Sequence, residues 1–182
     1  MKKTSLLFFI SFLALYLLML SCNDSASNDD DNNSALPIYS YQGSYYEPLE
    51  LELDDTDFIG TVGPYAAGFD NKNDDKLAEL AKAPTGSYYS VSIDSGSEYV
   101  IQLTNLSGDY DVFIFGYTNN NDLYFLTESN NESLANEVVT LLSDSTNDIV
   151  RLLLFVNNYS SKDTIGGEFN ITVYSYATFF QK

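Results

Sequence analysis

The sequence has no histidine and no tryptophan, a single cysteine, and only 8 basic residues against 26 acidic ones. Without histidine there is no Ser-His or Cys-His nucleophilic pair and no imidazole for a metal, which removes the commonest hydrolase and zinc constellations. One cysteine forms neither an intramolecular disulfide nor a cysteine cluster. No Gly-rich phosphate loop of the usual spacing occurs. The shortage of lysine and arginine leaves a net charge of −18. Such a field repels nucleic acid and anionic lipid headgroups, so neither is expected as a direct partner.

What is present reads as a globular chain. Hydrophobic residues make up 45% of the 182 and aromatic residues 15%, enough to bury a core in one domain. The first residues differ from the rest. Lys2 and Lys3 precede an apolar run from Leu6 to Leu20 that is interrupted only by Ser11. Fifteen residues fall short of the roughly 20 of a membrane-spanning helix and suit a signal-peptide core. The run ends at Ser21-Cys22, and an acidic, aperiodic stretch follows, "NDSASNDDDNNSALP", expected to be a solvated tether.

A small residue before a cysteine at the end of such a core resembles the processing site of bacterial lipoproteins. The resemblance implies cleavage after residue 21, lipidation of Cys22 and anchorage in the outer membrane. Asp29, Asp30 and Asp31 are similar to signals that send some lipoproteins to the cell surface, and a plain hydrated spacer fits them equally well. The competing readings are a secreted protein with a stray cysteine and an uncleaved anchor. Removal of the first 21 residues would take Lys2 and Lys3 and leave a net charge of −20. The expected organisation is a signal peptide over residues 1–21, a tether over 22–42 and a folded domain over 43–182.

From Gly43 onward, short β-branched and aromatic runs alternate with Gly, Asn, Asp and Ser. Nine runs read as strands: 49–53, 58–62, 87–93, 98–104, 109–117, 122–127, 136–142, 149–156 and 168–174. "LELEL" at 49–53 alternates strictly. The runs 87–93 and 98–104, joined by "DSGS", read as a hairpin, with Tyr89, Val91, Ile93, Tyr99, Ile101 and Leu103 inward. The run 109–117 is apolar on both faces, the mark of a central strand. One helix-like stretch, 70–84, carries Leu77, Leu80 and Ala81 at helical spacing and stops at Pro84. The expected fold is an all-β antiparallel sandwich of about nine strands with one short helix.

Residues 87–174 are similar to the bacterial pre-peptidase C-terminal domain. The likeness lies in Gly108, Asp109, Asp111, Val112 and Ile114 of one strand, in Glu132 and Ser133 after it, and in Phe169, Ile171 and Val173 of the closing strand. It implies a jelly-roll-like sandwich with an accessory role and no catalysis.

The candidate sites are few. Asp109 and Asp111 flank Tyr110 and would share a strand face, either as a Ca²⁺ site or as turn caps bonded to backbone N–H groups. "DNKNDD" at 70–75 lacks the glycine and distal glutamate of a calcium loop and reads as a solvated loop. Arg151, the only arginine, is either paired with a carboxylate or on an edge in water. Tyr39, Tyr41, Tyr45 and Tyr46 either bind a protein or glycan partner or staple the first segment onto the sandwich. No other cofactor is implied. The function expected is a lipid-anchored cell-envelope protein presenting a non-catalytic binding module. The alternative is a periplasm-facing structural or assembly subunit of an envelope complex.

Overall fold

Tyr89, Val91 and Ile93 in one run, and Tyr99, Ile101 and Leu103 in the next, give two strands one apolar face each. In the computed structural model of the protein all six side chains are buried in one cluster between two sheets. The structure describes residues 38–70, 72–82, 84–131, 135–160 and 163–181. The expected signal peptide, Cys22, Asp29 to Asp31, most of the tether, and Glu132 and Ser133 lie outside them.

Each of the nine runs holds a strand: β1 (Leu49–Glu50), β2 (Ile59–Val62), β3 (Ser87–Ser92), β4 (Tyr99–Thr104), β5 (Tyr110–Thr118), β6 (Leu123–Ser129), β7 (Glu137–Leu141), β8 (Ile149–Asn158) and β9 (Gly167–Ser175). They form two sheets, β1-β3-β8-β5-β6 and β2-β9-β4-β7. Every pairing is antiparallel except that of β1 with β3. The fold is the expected β-sandwich. β5 lies between β8 and β6 and has apolar side chains on both faces, as its sequence requires.

Alternation sorts the side chains of the five-stranded sheet. Val112, Ile114, Leu152, Leu154 and Val156 face the second sheet, where Phe169, Ile171 and Val173 of β9 meet them. Tyr88, Phe113, Phe115, Leu153 and Phe155 face the other way and form a second cluster, roofed by Phe69 and Leu80. Leu80 belongs to α1 (Lys76–Leu80), whose N-cap Asp75 accepts from the Ala78 N–H at 3.0 Å. The helix-like stretch is thus one short helix laid on the outer face of a sheet. A second helix, α2 (Tyr176–Phe179), capped by Ser175, was not expected. It has four residues, too few to show a period.

Two expectations need correction. β3 and β4 are not a hairpin, because they belong to different sheets. An inward apolar face is covered equally well by a strand alongside or by one across the sandwich, so alternation cannot separate the two. The turn decides it. Gly96, at φ +72°, donates its N–H to the Thr146 carbonyl at 3.0 Å, and the Asp94 N–H donates to the Tyr99 hydroxyl at 2.8 Å, which carries the chain over to the second sheet. "LELEL" contributes a strand of only two residues, at the edge beside β3, and Leu51 alone of its leucines is buried. Asp54, at φ +64°, turns the chain away from the sheet.

Packing begins before residue 43. The Tyr39 N–H donates to the Ile165 carbonyl at 2.8 Å, the Thr61 hydroxyl to the Ser40 carbonyl at 2.7 Å, and the Tyr89 hydroxyl to Gln42 Oε1 at 2.8 Å. The last residues of the expected tether are therefore part of the sandwich. Among the described residues no helix is long and apolar enough to cross a membrane.

Candidate functional site

β5 begins at Tyr110, so Asp109 lies in the turn before it, where its carbonyl accepts from the Tyr159 N–H at 2.9 Å. Asp111 is on the outer face of the sheet, buried, and directly opposite Asn157 of β8. Asn157 Oδ1 is also buried and has no hydrogen-bond partner. Among the described residues no group of three or more acidic, cysteine or histidine side chains gathers to hold a metal ion. Two aspartates bring little toward the roughly six to eight oxygens that Ca²⁺ takes. Arg151 fits neither expectation. It stands on β8, inside the sheet, with its guanidinium 4.4 Å from the centre of the Tyr117 ring, a cation–π stack.

The four N-terminal tyrosines divide by packing. Tyr41 lies against the main core, and its hydroxyl donates to the Pro64 carbonyl. Burial pushes its phenol above the usual value, and Asp163 adds to the rise. Tyr45 packs edge-on to Tyr88, with ring centres 6.2 Å apart. Tyr39 is half-buried and held through its backbone. Only Tyr46, 82% exposed, presents its ring to solvent. The rings of Tyr41 and Tyr45 thus staple the first segment to the sandwich, and Tyr39 is fastened there by its backbone.

The structure opens a cleft elsewhere. It lies beside the roof of the second cluster, has a volume of about 430 Å³, and is lined by Tyr65, residues 67–70, Lys72, Glu79 and Tyr159. Its geometry starts from β2, after which the chain leaves the sheet at Gly63. The Gly63 carbonyl accepts from Asn158 Nδ2 at 3.1 Å, and the Tyr65 N–H donates to the Asp163 carbonyl at 3.0 Å. These bonds hold Tyr65 near the end of β8, where Tyr159 emerges. Phe69 then turns inward and packs on Phe113 and Phe155, with ring centres 4.5 and 4.9 Å away. Ala67 and Gly68 are too small to fill the space above it. Tyr65 and Tyr159 remain 37% and 38% exposed.

The polar wall is Asp70 and Lys72, from the 70–75 stretch that the sequence marked as a solvated loop, together with Glu79 of α1. Glu79 organises it. Its Oε1 accepts from Asn73 Nδ2 at 2.7 Å and Lys82 Nζ at 2.6 Å, and its Oε2 from the Asp70 N–H at 3.3 Å. Lys82, then Asn73, hold the Glu79 carboxyl below the usual carboxylate range. Asp70 Oδ1 accepts from the Lys72 N–H at 3.0 Å. The cleft therefore has an apolar floor, two half-exposed phenols and a loop braced by a buried carboxylate. Sequence reading missed Tyr65 and Tyr159. The available signal was "GPYAAGF", an aromatic residue among residues too small to cover it.

Comparison with known proteins adds no name to this arrangement: no family model matches the chain, and no curated protein matches it.

Proposed function

We propose that the chain is a lipid-anchored protein of the cell envelope that presents its β-sandwich as a non-catalytic binding module. The observation that carries this reading is the order of segments. A basic start, a fifteen-residue apolar run, the only cysteine and an acidic stretch lead into a sandwich to which Tyr39 is already bonded. An acyl chain at Cys22 would hold the sandwich at the outer membrane, and the acidic stretch would let it search for partners. The likeness of residues 87–174 to a domain that accompanies larger enzymes supports an accessory role. A clickable fatty-acid probe fed to cells tests the anchor. The wild type should be labelled and the Cys22→Ser variant not; equal labelling of both would end the proposal. Protease shaving of intact cells then reads out which face of the membrane the sandwich occupies.

One feature favours a second reading, an assembly subunit facing the periplasm. β7 is an edge strand with Val138 47% exposed, and Leu142 just beyond it is 54% exposed. An open edge with apolar side chains suits strand addition by a partner. Crosslinking in whole cells from a photoreactive residue at position 138 would test it; the absence of any adduct would dismiss it.

A further inference from the structure

We infer that the cleft between Tyr65 and Tyr159 binds a short neutral saccharide. The inference rests on the binding-module reading and names the ligand class. At about 430 Å³ the cleft falls within the roughly 300–1,000 Å³ of small-ligand sites, and its composition narrows the chemistry. An anion would meet Asp70 and Glu79 within a protein of net charge −18, which repels it at long range and at contact. The net charge of −18 draws a cation toward the protein at long range, but at contact it finds few free acceptors. Glu79 already accepts from Lys82, Asn73 and the Asp70 backbone, and Lys72 lines the same cleft as Asp70. Charge within and beside the cleft is thus nearly balanced.

A neutral ligand remains, and it must be amphipathic. The Phe69 floor and two half-exposed tyrosines offer apolar ring faces, which gain by covering an apolar surface. The rim mixes donors and acceptors: two phenol hydroxyls, the Asp70 carboxylate and the Lys72 ammonium. An alkyl ligand would cover these groups without replacing their water and would leave each of them unpaired. A pyranose has a C–H face for the rings and a girdle of hydroxyls that both donate and accept, and so satisfies both requirements. Ala67 and Gly68 leave the floor open to a flat ring.

The test uses the isotopically labelled full-length protein in a detergent without a sugar headgroup. Amide spectra are followed during titration with glucose, galactose, mannose, N-acetylglucosamine and linear tetrasaccharides of each. Spermidine and inorganic phosphate are run alongside. At least one neutral saccharide should shift the amides of residues 65, 67–70, 72 and 159 saturably, with a Kd on the order of 0.1–1 mM. Tyr65→Ala and Tyr159→Ala should each weaken binding by about tenfold or more, and Tyr46→Ala should change nothing. The inference is overturned if no saccharide of the panel moves those amides, if both alanine variants bind as the wild type does, or if spermidine or phosphate binds there more tightly. Because the wild-type spectra report the site directly, a variant that fails to fold does not rescue the idea. Failure here with Cys22 still labelled removes the ligand and leaves the anchor; loss of labelling with saccharide binding intact removes only the anchor.

Discussion

Raising the pH should unfold this protein through its tyrosines. Tyr88, Tyr89 and Tyr110 are 3%, 0% and 0% exposed, and burial pushes all three phenols above their ordinary value near 10. Tyr41 and Tyr117 are raised as well, again chiefly by burial. The sign follows from the proton. Above pH 10 the unfolded chain releases a phenolic proton that the folded chain retains, so unfolding gains free energy with each further step in pH. The stability these groups supply is complete below pH 10 and is lost as pH climbs toward their folded values. A phenol contributes a slope of about 1.4 kcal/mol per pH unit while its folded value stays well above the pH, so Tyr88 and Tyr89, the most strongly raised, give about 3 together, and Tyr110 adds to this. A domain at the low end of the usual 5–15 kcal/mol should then reach its midpoint at about pH 11–12. The assay is favourable because the chain has 15 tyrosines and no tryptophan: tyrosinate absorbance and far-ultraviolet circular dichroism can be recorded on one sample. The five raised phenols amount to a third of the tyrosines, and that share of the absorbance change should arrive together with the loss of strand signal. If all the absorbance develops in one gradual transition near pH 10 while the dichroism is unchanged, the reasoning is refuted.

Three substitutions probe other parts of the fold, each by urea denaturation. The Glu137 carboxylate is fully buried and accepts from the Ser129 hydroxyl and from both the backbone and side-chain N–H groups of Asn131; Glu137→Ala should cost about 2–4 kcal/mol and Glu137→Gln clearly less, and equal losses would show that the one acceptor oxygen Gln keeps stabilises nothing there. Gly166 sits at φ +72°, and an added Cβ would lie 2.1 Å from the Val62 carbonyl oxygen. Gly166→Ala should therefore cost about 2 kcal/mol or more, and an unchanged midpoint would contradict the backbone placement. Phe69→Ala removes the roof of the second cluster and should cost about 2–4 kcal/mol; a loss under about 1 kcal/mol would mean the roof is loose.

The strands were legible in the sequence because a sandwich writes its core in alternation. Tyr89, Val91, Ile101 and Leu103 repeat every second residue, and all are buried. β5 and β8 lack alternation for the same physical reason, since both of their faces are covered. Partner choice was not written there. Which sheet a strand joins depends on a turn, and the Gly96 and Thr146 contact that directs β4 to the second sheet spans segments far apart in the chain. Arg151 fails for a related reason. Its partner is the Tyr117 ring, cross-strand in register, and a sequence does not announce register.

The site was harder to read, and the tyrosines explain why. Tyr39, Tyr41, Tyr45 and Tyr46 stand out because they are neighbours in sequence, yet a first segment needs fastening, and packing claims the rings of Tyr41 and Tyr45 while a backbone bond holds Tyr39. Tyr65 and Tyr159 attract no notice singly, since each lies in a loop where no period holds. What sets Tyr65 apart is its surroundings. Pro64 precedes it, and Ala66, Ala67 and Gly68 follow, so no neighbour is large enough to bury its ring. A ring that alternates with others belongs to the core, because burying it returns roughly 25 cal/mol for each Å² removed from water. A ring left half-exposed by small neighbours, and fixed in place by its own backbone bond to Asp163, keeps that free energy in reserve for whatever next covers it. In a β-sandwich the breaks in alternation, more than the alternation itself, are where a ligand site is written.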